Sequence, residues 1–233
     1  MESTLTSARW KARTFAHKYN HYFPAPETNP TFDTVQAERQ GMLEGILGHV
    51  GPSCFIEPPF SIDYGCNISL GASFYSNFNL TILDCSLVTI GDRCMFGPNV
   101  SIFAATHETE VQSRRDFIEY GLPVSIGDDC WVGGTVVILP GVTIGKGCTI
   151  AAGSVVTKDV PDWSVAMGSK LHPASRVIYV GKGFARFCAG NCMVADFSCS
   201  SLGPAKVVKK VTAVPDLKEK GGSADVEIGE ERK

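Results

Sequence analysis

His107 is the residue of this chain best suited to acid–base chemistry. It is the only histidine between Ile56 and Val156, and it stands in a polar stretch that interrupts a run of aliphatic residues. An imidazole exchanges a proton near neutral pH, so it can accept the proton of a hydroxyl group as that hydroxyl attacks another molecule. We therefore interpret His107 as a general base, and we rank this above a loop histidine with a structural hydrogen bond.

Polar residues on either side of His107 in the sequence could bind a substrate. Glu119 lies in the same polar stretch and could orient His107 or bind a substrate hydroxyl, although a solvated charge explains it equally well. Asn77, Asn79 and Asp84 precede His107, and amide and carboxylate groups can hold the hydroxyls of a sugar. These side chains could instead form ladders along a repetitive structure, but we favour substrate binding for Asn77 and Asp84.

These candidate residues are embedded in a repeat with a period of six residues. The period matches neither a helix nor the two-residue alternation of an ordinary strand. It is typical of hexapeptide repeats, in which each unit forms one short strand and one turn, and three units close a triangular coil of a parallel β-helix. The aliphatic residues at this step are Ile126, Val132, Ile138, Ile144, Ile150 and Val156.

The repeat begins earlier in the chain and is interrupted. A weaker run keeps the step of six, the register slips once at residues 83–88, and a second run stops after Ile102 and returns at Ile126. We expect residues 103–124 to leave the coil as an exposed excursion loop, and an insertion of this length in a compact solenoid is usually functional. The two earlier runs are Ile62, Ile68, Phe74 and Leu80, and then Ile90, Phe96 and Ile102.

The pattern divides the chain into three parts. We expect a mainly β fold, with a parallel β-helix over residues 56–180 and an N-terminal helical cap over residues 1–55 that covers the open end of the first coil. Within the cap, the sequence predicts a short helix over residues 7–17 and an amphipathic helix over residues 34–50, with a capping pattern at Asp33. Residues 181–233 form a C-terminal extension, which we expect to be partly disordered.

Composition and charge indicate which partners, cellular location and cysteine state to expect. The 233 residues carry a formal net charge of −3, so we expect no nucleic-acid partner and no membrane partner. The chain has no run of 18 apolar residues and no apolar signal region at its N-terminus, so we expect a cytoplasmic protein. Cys94, Cys130 and Cys148 each follow a repeat aliphatic by four residues, which favours reduced packing cysteines over disulfides.

Several segments of the chain resemble the maltose, galactoside and nodulation O-acetyltransferases, over roughly residues 34–180. Their motifs are more specific than a generic hexapeptide repeat. The segments are Asn77-Phe78-Asn79-Leu80-Thr81-Ile82-Leu83-Asp84, Thr89-Ile90-Gly91-Asp92, His107, Pro123-Val124-Ser125-Ile126-Gly127-Asp128, Trp131-Val132-Gly133-Gly134, Pro140-Gly141-Val142-Thr143-Ile144-Gly145 and Ala152-Gly153-Ser154-Val155-Val156-Thr157-Lys158-Asp159.

The resemblance implies a left-handed β-helix, a homotrimer and an acetyl-CoA site in the groove between neighbouring subunits. It implies that His107 is the general base and that Tyr75 and Asn77 lie near an acceptor sugar. It also implies that the backbone N–H of Gly134 can face the thioester oxygen. The positions that line the coenzyme A site in such enzymes match Trp131, Gly134, Ala152, Thr157, Lys158 and Arg176.

Two departures from the family pattern concern the ends of this site. The family's Tyr-x-x-x-Asp-Pro-Glu stretch, whose Asp helps to bind the acceptor, has only a loose counterpart here in Asp33. The Gly-x-Pro-Ala stretch near the end of the family's coils is replaced by residues 168–175, so the contacts with the adenosine end of the coenzyme can differ.

The sequence therefore predicts an acetyl-CoA-dependent O-acetyltransferase that acts on a hydroxyl of a sugar such as glucose, maltose or a β-galactoside. We expect no covalent acyl-enzyme, because no Ser or Cys visibly pairs with His107. Alternatives on the same fold are transfer to a non-sugar acceptor, such as serine or a xenobiotic, and a non-catalytic trimeric scaffold. A metal enzyme of the β-helix carbonic anhydrase type needs three histidines on stacked coils. The repeat offers one, so we expect no metal.

Overall fold

The chain begins with a pair of helices, and the computed structural model describes residues 2–168 and 206–210. Helix α1 spans Glu2–Asn20, a 3-10 turn spans Pro26–Thr28, and helix α2 spans Phe32–Glu44. A short helix, α3 (Val111–Arg115), lies further along the chain. The predictions for Arg176 and for most of the C-terminal extension fall outside the described residues. None of the described helices is long and apolar enough to cross a membrane.

Short strands recur along the remaining described chain. The majority contain two or three residues each. In chain order they are β1 (His49–Val50), β2 (Phe55–Ile56), β3 (Phe60–Ile62), β4 (Ile68–Leu70), β5 (Tyr75–Ser76), β6 (Leu80–Leu83), β7 (Val88–Ile90), β8 (Met95–Phe96), β9 (Ser101–Phe103), β10 (Ala105–Thr106), β11 (Tyr120–Gly121), β12 (Val124–Ile126), β13 (Trp131–Val132), β14 (Val137–Ile138), β15 (Thr143–Ile144), β16 (Thr149–Ile150), β17 (Val155–Val156), β18 (Ser164–Met167) and β19 (Lys206–Lys210).

The strands build three parallel sheets that form the sides of a triangular solenoid. The first sheet has the order β1-β4-β7-β12-β15, the second β2-β5-β8-β13-β16-β18, and the third β3-β6-β9-β14-β17. Strand β19 joins the second sheet antiparallel to β18. Each coil of the chain contributes one strand to each sheet, so the fold is a left-handed parallel β-helix with helices at its N-terminal end. The predicted fold class is confirmed.

Aliphatic side chains stack on one another along the inside of the solenoid. In the third sheet, the residues in register from coil to coil are Ile62, Ile82, Ile102, Ile138 and Val156. All of them are buried. Each inward side chain packs against its equivalents in the neighbouring coils, so the column buries apolar surface that no single coil could cover.

The register of the early coils corrects the prediction of a single slip at residues 83–88. Ile62 pairs with the residue 20 positions later, whereas Ile138 pairs with the residue 18 positions later. The corner between the third and first sheets is enlarged at residues 63–67 and again at residues 84–87, so the slip occurs twice. Ile68, Phe74 and Leu80 form a second inward row, each two residues before Leu70, Ser76 and Ile82.

Four cysteines lie in one buried row, each directly before a strand of the second sheet. Cys54, Cys94, Cys130 and Cys148 are free thiols. Each thiol donates to a backbone carbonyl oxygen at the same corner of the next coil, with sulfur–oxygen distances of 3.0 or 3.1 Å. The packing role predicted for Cys94, Cys130 and Cys148 is therefore confirmed.

Helices α1 and α2 cover the first coil, whose backbone groups have no preceding coil to pair with. The Tyr19 hydroxyl donates to the Ile56 carbonyl over 2.7 Å. The Asn20 amide pairs with both backbone groups of Phe60, over 3.0 and 2.7 Å. Arg39 of α2 is buried, and its guanidinium lies over the Tyr19 ring. These side chains supply the hydrogen-bond partners that an open end of the stack would lack.

Both cap helices differ in extent from their predictions. Helix α1 is longer than the predicted residues 7–17. Helix α2 begins at Phe32 and is capped by Thr31 instead of Asp33. It ends at Glu44 instead of residue 50, because the residues after it form β1 and pair in parallel with β4. Tertiary pairing thus overrides the helical periodicity at this end.

Candidate active site

The excursion between β9 and β12 carries His107 away from the coil. Its base is a two-stranded antiparallel ribbon, in which β10 and β11 pair Ala105 with Gly121 and Thr106 with Tyr120. His107 follows β10 directly and is exposed. The imidazole is therefore presented to solvent beside the corner between the third and first sheets.

One hydrogen bond fixes the protonation pattern of the His107 ring. Its Nδ1 atom lies 2.9 Å from the backbone oxygen of Ile118. A carbonyl oxygen can only accept, so Nδ1 carries the proton and donates it, and in the neutral ring Nε2 keeps its lone pair. That lone pair is what a general base requires.

The group that orients His107 is the Ile118 carbonyl and not the Glu119 side chain, which corrects one of the two roles predicted for Glu119. The Glu119 carboxylate is exposed, and its Oε1 atom accepts a weak hydrogen bond from the Cys85 thiol over 3.8 Å. Its other predicted role, the binding of a substrate hydroxyl, stays a prediction.

Sequence reasoning missed a polar cluster beside Glu119. The Cys85 thiol also donates to an oxygen of Asp63 over 3.6 Å, and Arg9 and Arg13 of α1 lie 3.8 and 3.9 Å from the other oxygen. Burial raises the pKa of the Cys85 thiol to about 12, and the carboxylates of Glu119 and Asp63 add to this shift. The thiol therefore stays protonated and acts as a hydrogen-bond donor. This excludes a nucleophilic role, because a nucleophile would need the thiolate.

Asp84 is not available to a substrate, which corrects its prediction as a substrate-binding residue. Its side chain is fully buried. The carboxylate accepts hydrogen bonds from the backbone N–H groups of Asp63, Tyr64 and Gly65, over 3.1, 2.9 and 2.7 Å. Burial raises the pKa of the Asp84 carboxyl, the N–H donors lower it, and the net shift is upward. Asp84 therefore closes an enlarged corner between the third and first sheets.

Tyr75 and Asn77 lie around the corner between the second and third sheets, whereas His107 lies beside the corner between the third and first sheets. Tyr75 belongs to β5 and is partly exposed, and Asn77 follows in the turn that leads to the third sheet. Asn77 Oδ1 accepts from the backbone N–H of Phe78 over 2.7 Å, and its Nδ2 makes no hydrogen bond with the described residues. Asn79 Nδ2 donates to Oδ1 of Asn99 on the next coil over 3.0 Å, so Asn79 belongs to a ladder of side-chain hydrogen bonds along the solenoid.

At the corner between the second and third sheets, the backbone N–H groups of two equivalent residues on adjacent coils, Gly134 and Ala152, form no hydrogen bond in the described chain. The N–H groups of Gly133 and Thr135 donate to carbonyls of neighbouring coils over 2.8 and 2.7 Å, whereas the N–H of Gly134 between them has no partner in the described chain. Ala152, the equivalent residue one coil later, is in the same state. The two free donors belong to adjacent coils, which stack roughly 4.8 Å apart.

The other predicted coenzyme residues divide between the corner after the third sheet and the outer face of the second sheet. Thr157 and Lys158 follow β17, at the corner from which the excursion leaves. Trp131 lies on the outer face of the second sheet, where it is 54% exposed. The corner between the third and first sheets lies opposite the second sheet in the triangular solenoid, so the two groups lie apart within one chain. Among residues 2–168 and 206–210, no three His, Cys, Asp or Glu side chains form a group that could hold a metal ion.

Comparisons with known proteins agree with this architecture. The family model described as "Bacterial transferase hexapeptide (six repeats)" matches residues 123–158, and "Maltose acetyltransferase hexapeptide capping motif" matches residues 1–51. Galactoside O-acetyltransferase of Escherichia coli is 38% identical over 164 residues, which cover 70% of this chain and 76% of the relative. Nodulation protein L of Rhizobium meliloti is 52% identical over 137 residues, which cover 59% of this chain and 74% of the relative.

A solved structure extends the agreement to three dimensions. Galactoside acetyltransferase in complex with coenzyme A has a TM-score of 0.67 and 31% sequence identity, and the match covers 89% of this chain and 82% of that chain. Fold and relatives together define a hexapeptide-repeat acyltransferase. The chain belongs to the family of maltose, galactoside and nodulation O-acetyltransferases, as its sequence motifs indicated. It is an acetyl-CoA-dependent acetyltransferase, with acetyl-CoA as the co-substrate.

Proposed function

We propose that the protein transfers the acetyl group of acetyl-CoA to a hydroxyl of a sugar, by direct attack and with His107 as the general base. The observation that carries the proposal is the 2.9 Å contact between His107 Nδ1 and the Ile118 carbonyl, which leaves Nε2 free to take a proton. Relatives support a sugar acceptor, because the Escherichia coli enzyme is named a galactoside O-acetyltransferase.

The transfer exchanges a thioester for an oxygen ester. The acceptor oxygen forms a bond to the acetyl carbonyl carbon while its proton passes to Nε2 of His107. The carbon–sulfur bond then breaks, and the proton passes from Nε2 to the departing sulfur. A base positioned in this way contributes about 10²–10⁴-fold to the rate. Because the acceptor oxygen attacks the thioester carbon directly, the reaction needs no covalent acyl-enzyme.

The free N–H of Gly134 supports a second part of this mechanism. The thioester oxygen gains negative charge as the acceptor attacks, and one backbone N–H aimed at it is worth about 2.7–4 kcal/mol in the transition state. Gly134 has no other partner for this donor in the described chain. The neighbouring Gly133 leaves the second donor open, since a Cβ atom there would lie 2.6 Å from the nitrogen of Ala152.

We infer that each site is completed by a second copy of the chain in a homotrimer. The predicted coenzyme and acceptor residues lie around the two corners of the solenoid that bound the third sheet. A cyclic arrangement can place one of these corners against the other corner of the next copy. An apolar row also lies exposed along the outer face of the second sheet, where Tyr75, Met95 and Trp131 are in register and exposed by 37%, 54% and 54%. Exposed apolar rows of this kind mark interaction surfaces.

Sedimentation equilibrium of the purified protein is expected to give three times the mass of one chain. The reason is that the row of Tyr75, Met95 and Trp131 is exposed in a single copy. The same measurement with saturating acetyl-CoA serves as the control for ligand-dependent assembly. A monomer under both conditions would contradict a shared site.

An acceptor screen tests the reaction. The protein is incubated with acetyl-CoA and glucose, maltose, a β-galactoside or serine, and the release of free thiol is followed. We expect at least one sugar to raise thiol release well above the acceptor-free rate. Serine is the matched control, because it offers a primary hydroxyl without a sugar ring. Preference for serine would assign a non-sugar acceptor, and no acceleration by any sugar would contradict the proposed acceptor class.

A further inference from the structure

The segment that follows His107 is held by one arginine side chain. Arg114 of α3 donates from Nη1 to the backbone oxygens of Glu108 and Thr109, over 2.8 and 2.6 Å. These are the two residues directly after His107, and their carbonyls form no other hydrogen bond with the described chain. The bonds are charge-assisted, so they are stronger than bonds between neutral groups.

The same helix also holds the carbonyl that orients the His107 ring. The backbone N–H of Ile118 donates to the Ser113 carbonyl over 3.1 Å, and that of Phe117 donates to the Arg114 carbonyl over 3.2 Å. The Ile118 carbonyl in turn accepts from His107 Nδ1. Helix α3 therefore contacts both the segment that carries the imidazole and the carbonyl to which the imidazole is bonded.

We propose that Arg114 is a positioning residue that sets the orientation and the tautomer of His107. The inference rests on the proposed role of His107 as the base. Arg114 acts by fixing residues 108 and 109, so that the ring reaches the Ile118 carbonyl only with Nδ1 and turns Nε2 outward. Without the guanidinium, two carbonyls lose their donor and the segment gains conformational freedom. The ring can then leave the Ile118 carbonyl and exchange tautomers.

Two substitutions of Arg114 and one matched control test this role. Arg114→Ala is expected to lower kcat by about 10–10²-fold, the scale on which a misplacement of about 1 Å slows an enzyme. Its KM for acetyl-CoA is expected to stay unchanged, because Arg114 contacts none of the predicted coenzyme residues. Arg115→Ala removes the same charge from the next residue, whose side chain forms no hydrogen bond with the described residues, and is expected to leave both constants unchanged.

Arg114→Lys separates positioning from a general loss of structure. An ammonium group keeps donors for the same carbonyls but lacks the planar fork of the guanidinium. It is therefore expected to restore part of the lost kcat. If Arg114→Ala unfolds at the assay temperature, the test is the kcat of Arg114→Lys, which is expected to be lower than that of the unaltered protein.

Nuclear magnetic resonance of nitrogen-labelled histidine gives a reading that is independent of turnover. The His107 signals are identified as those that vanish in His107→Gln. The unaltered protein is expected to show the tautomer with the proton on Nδ1. Arg114→Ala is expected to show a mixture of tautomers, and Arg115→Ala the pattern of the unaltered protein.

The outcomes distinguish the positioning role from the function of His107 itself. An unchanged kcat together with an unchanged tautomer in Arg114→Ala would overturn the positioning role, even if His107→Ala is inactive. Full activity of His107→Ala would instead remove His107 as the base. In that case the tautomer in Arg114→Ala still decides whether Arg114 holds the ring.

Discussion

A variant with His107 replaced by alanine is expected to keep its fold and to turn over about 10²–10⁴-fold more slowly. The loss follows because no other group described beside the ribbon of β10 and β11 offers an unprotonated nitrogen. The fold is expected to persist, since His107 is exposed and its hydrogen bond to the Ile118 carbonyl can be replaced by water. Thiol release at saturating acetyl-CoA and acceptor measures turnover, and thermal unfolding measures the fold.

His21 offers a matched control for this substitution. It is also exposed, and its Nδ1 lies 2.8 Å from a backbone carbonyl, that of His17 in α1. His21→Ala removes the same ring and the same kind of hydrogen bond outside the excursion, so turnover is expected to stay at its unaltered level. Near-normal turnover of His107→Ala, or an equal loss in both variants, would remove His107 from the mechanism.

The solenoid could be predicted from sequence because its inward positions accept only apolar side chains and recur at a fixed step. The run from Ile126 to Val156 needs nothing else, since each residue packs on its equivalent in the next coil. The enlarged corners of the early coils could not be placed from the same rule. The corner at residues 63–67 is held by three backbone N–H groups that donate to Asp84 of the next coil, and the step of six does not show such a contact.

The site was predictable only where side chains carry the chemistry. His107 stood out because it interrupts an apolar pattern, and Glu119 because it lies in the same excursion. The Ile118 carbonyl gave no such signal, because every residue has a backbone carbonyl. The residue types of Gly134 and Ala152 gave none for their N–H groups either, and only the resemblance to the family indicated these positions. Which of them remain unpaired depends on the stacking of coils.

Asp84 illustrates the opposite error. A carboxylate close after two asparagines resembles a ligand for hydroxyl groups, which favoured substrate binding. The alternation of inward and outward side chains indicated the opposite, because Ile82 points inward and Asp84 follows it by two residues. In a strand, alternate residues share a face, so an inward carboxylate at this position predicts a structural role.

Replacing Asp84 by alanine is expected to destabilise the protein without affecting the binding of the acceptor. The change removes a fully buried carboxylate that accepts hydrogen bonds from three backbone N–H groups. Each unsatisfied buried donor costs about 1–3 kcal/mol. Because the corner can partly relax, we expect the free energy of unfolding to fall by on the order of 3 kcal/mol in total. Urea unfolding at a fixed protein concentration measures it, because an oligomer's apparent stability depends on concentration.

Asp159→Ala is the control for burial, because Asp159 is exposed and accepts a single backbone N–H bond, from Thr143 over 2.8 Å. It is expected to lose at most about 1 kcal/mol, since water can satisfy the donor that it leaves. The decisive comparison is between stability and the acceptor KM in Asp84→Ala at a temperature where the variant is folded. A carboxylate that only closes a corner changes the first and not the second. A raised acceptor KM with unchanged stability would return Asp84 to the acceptor site.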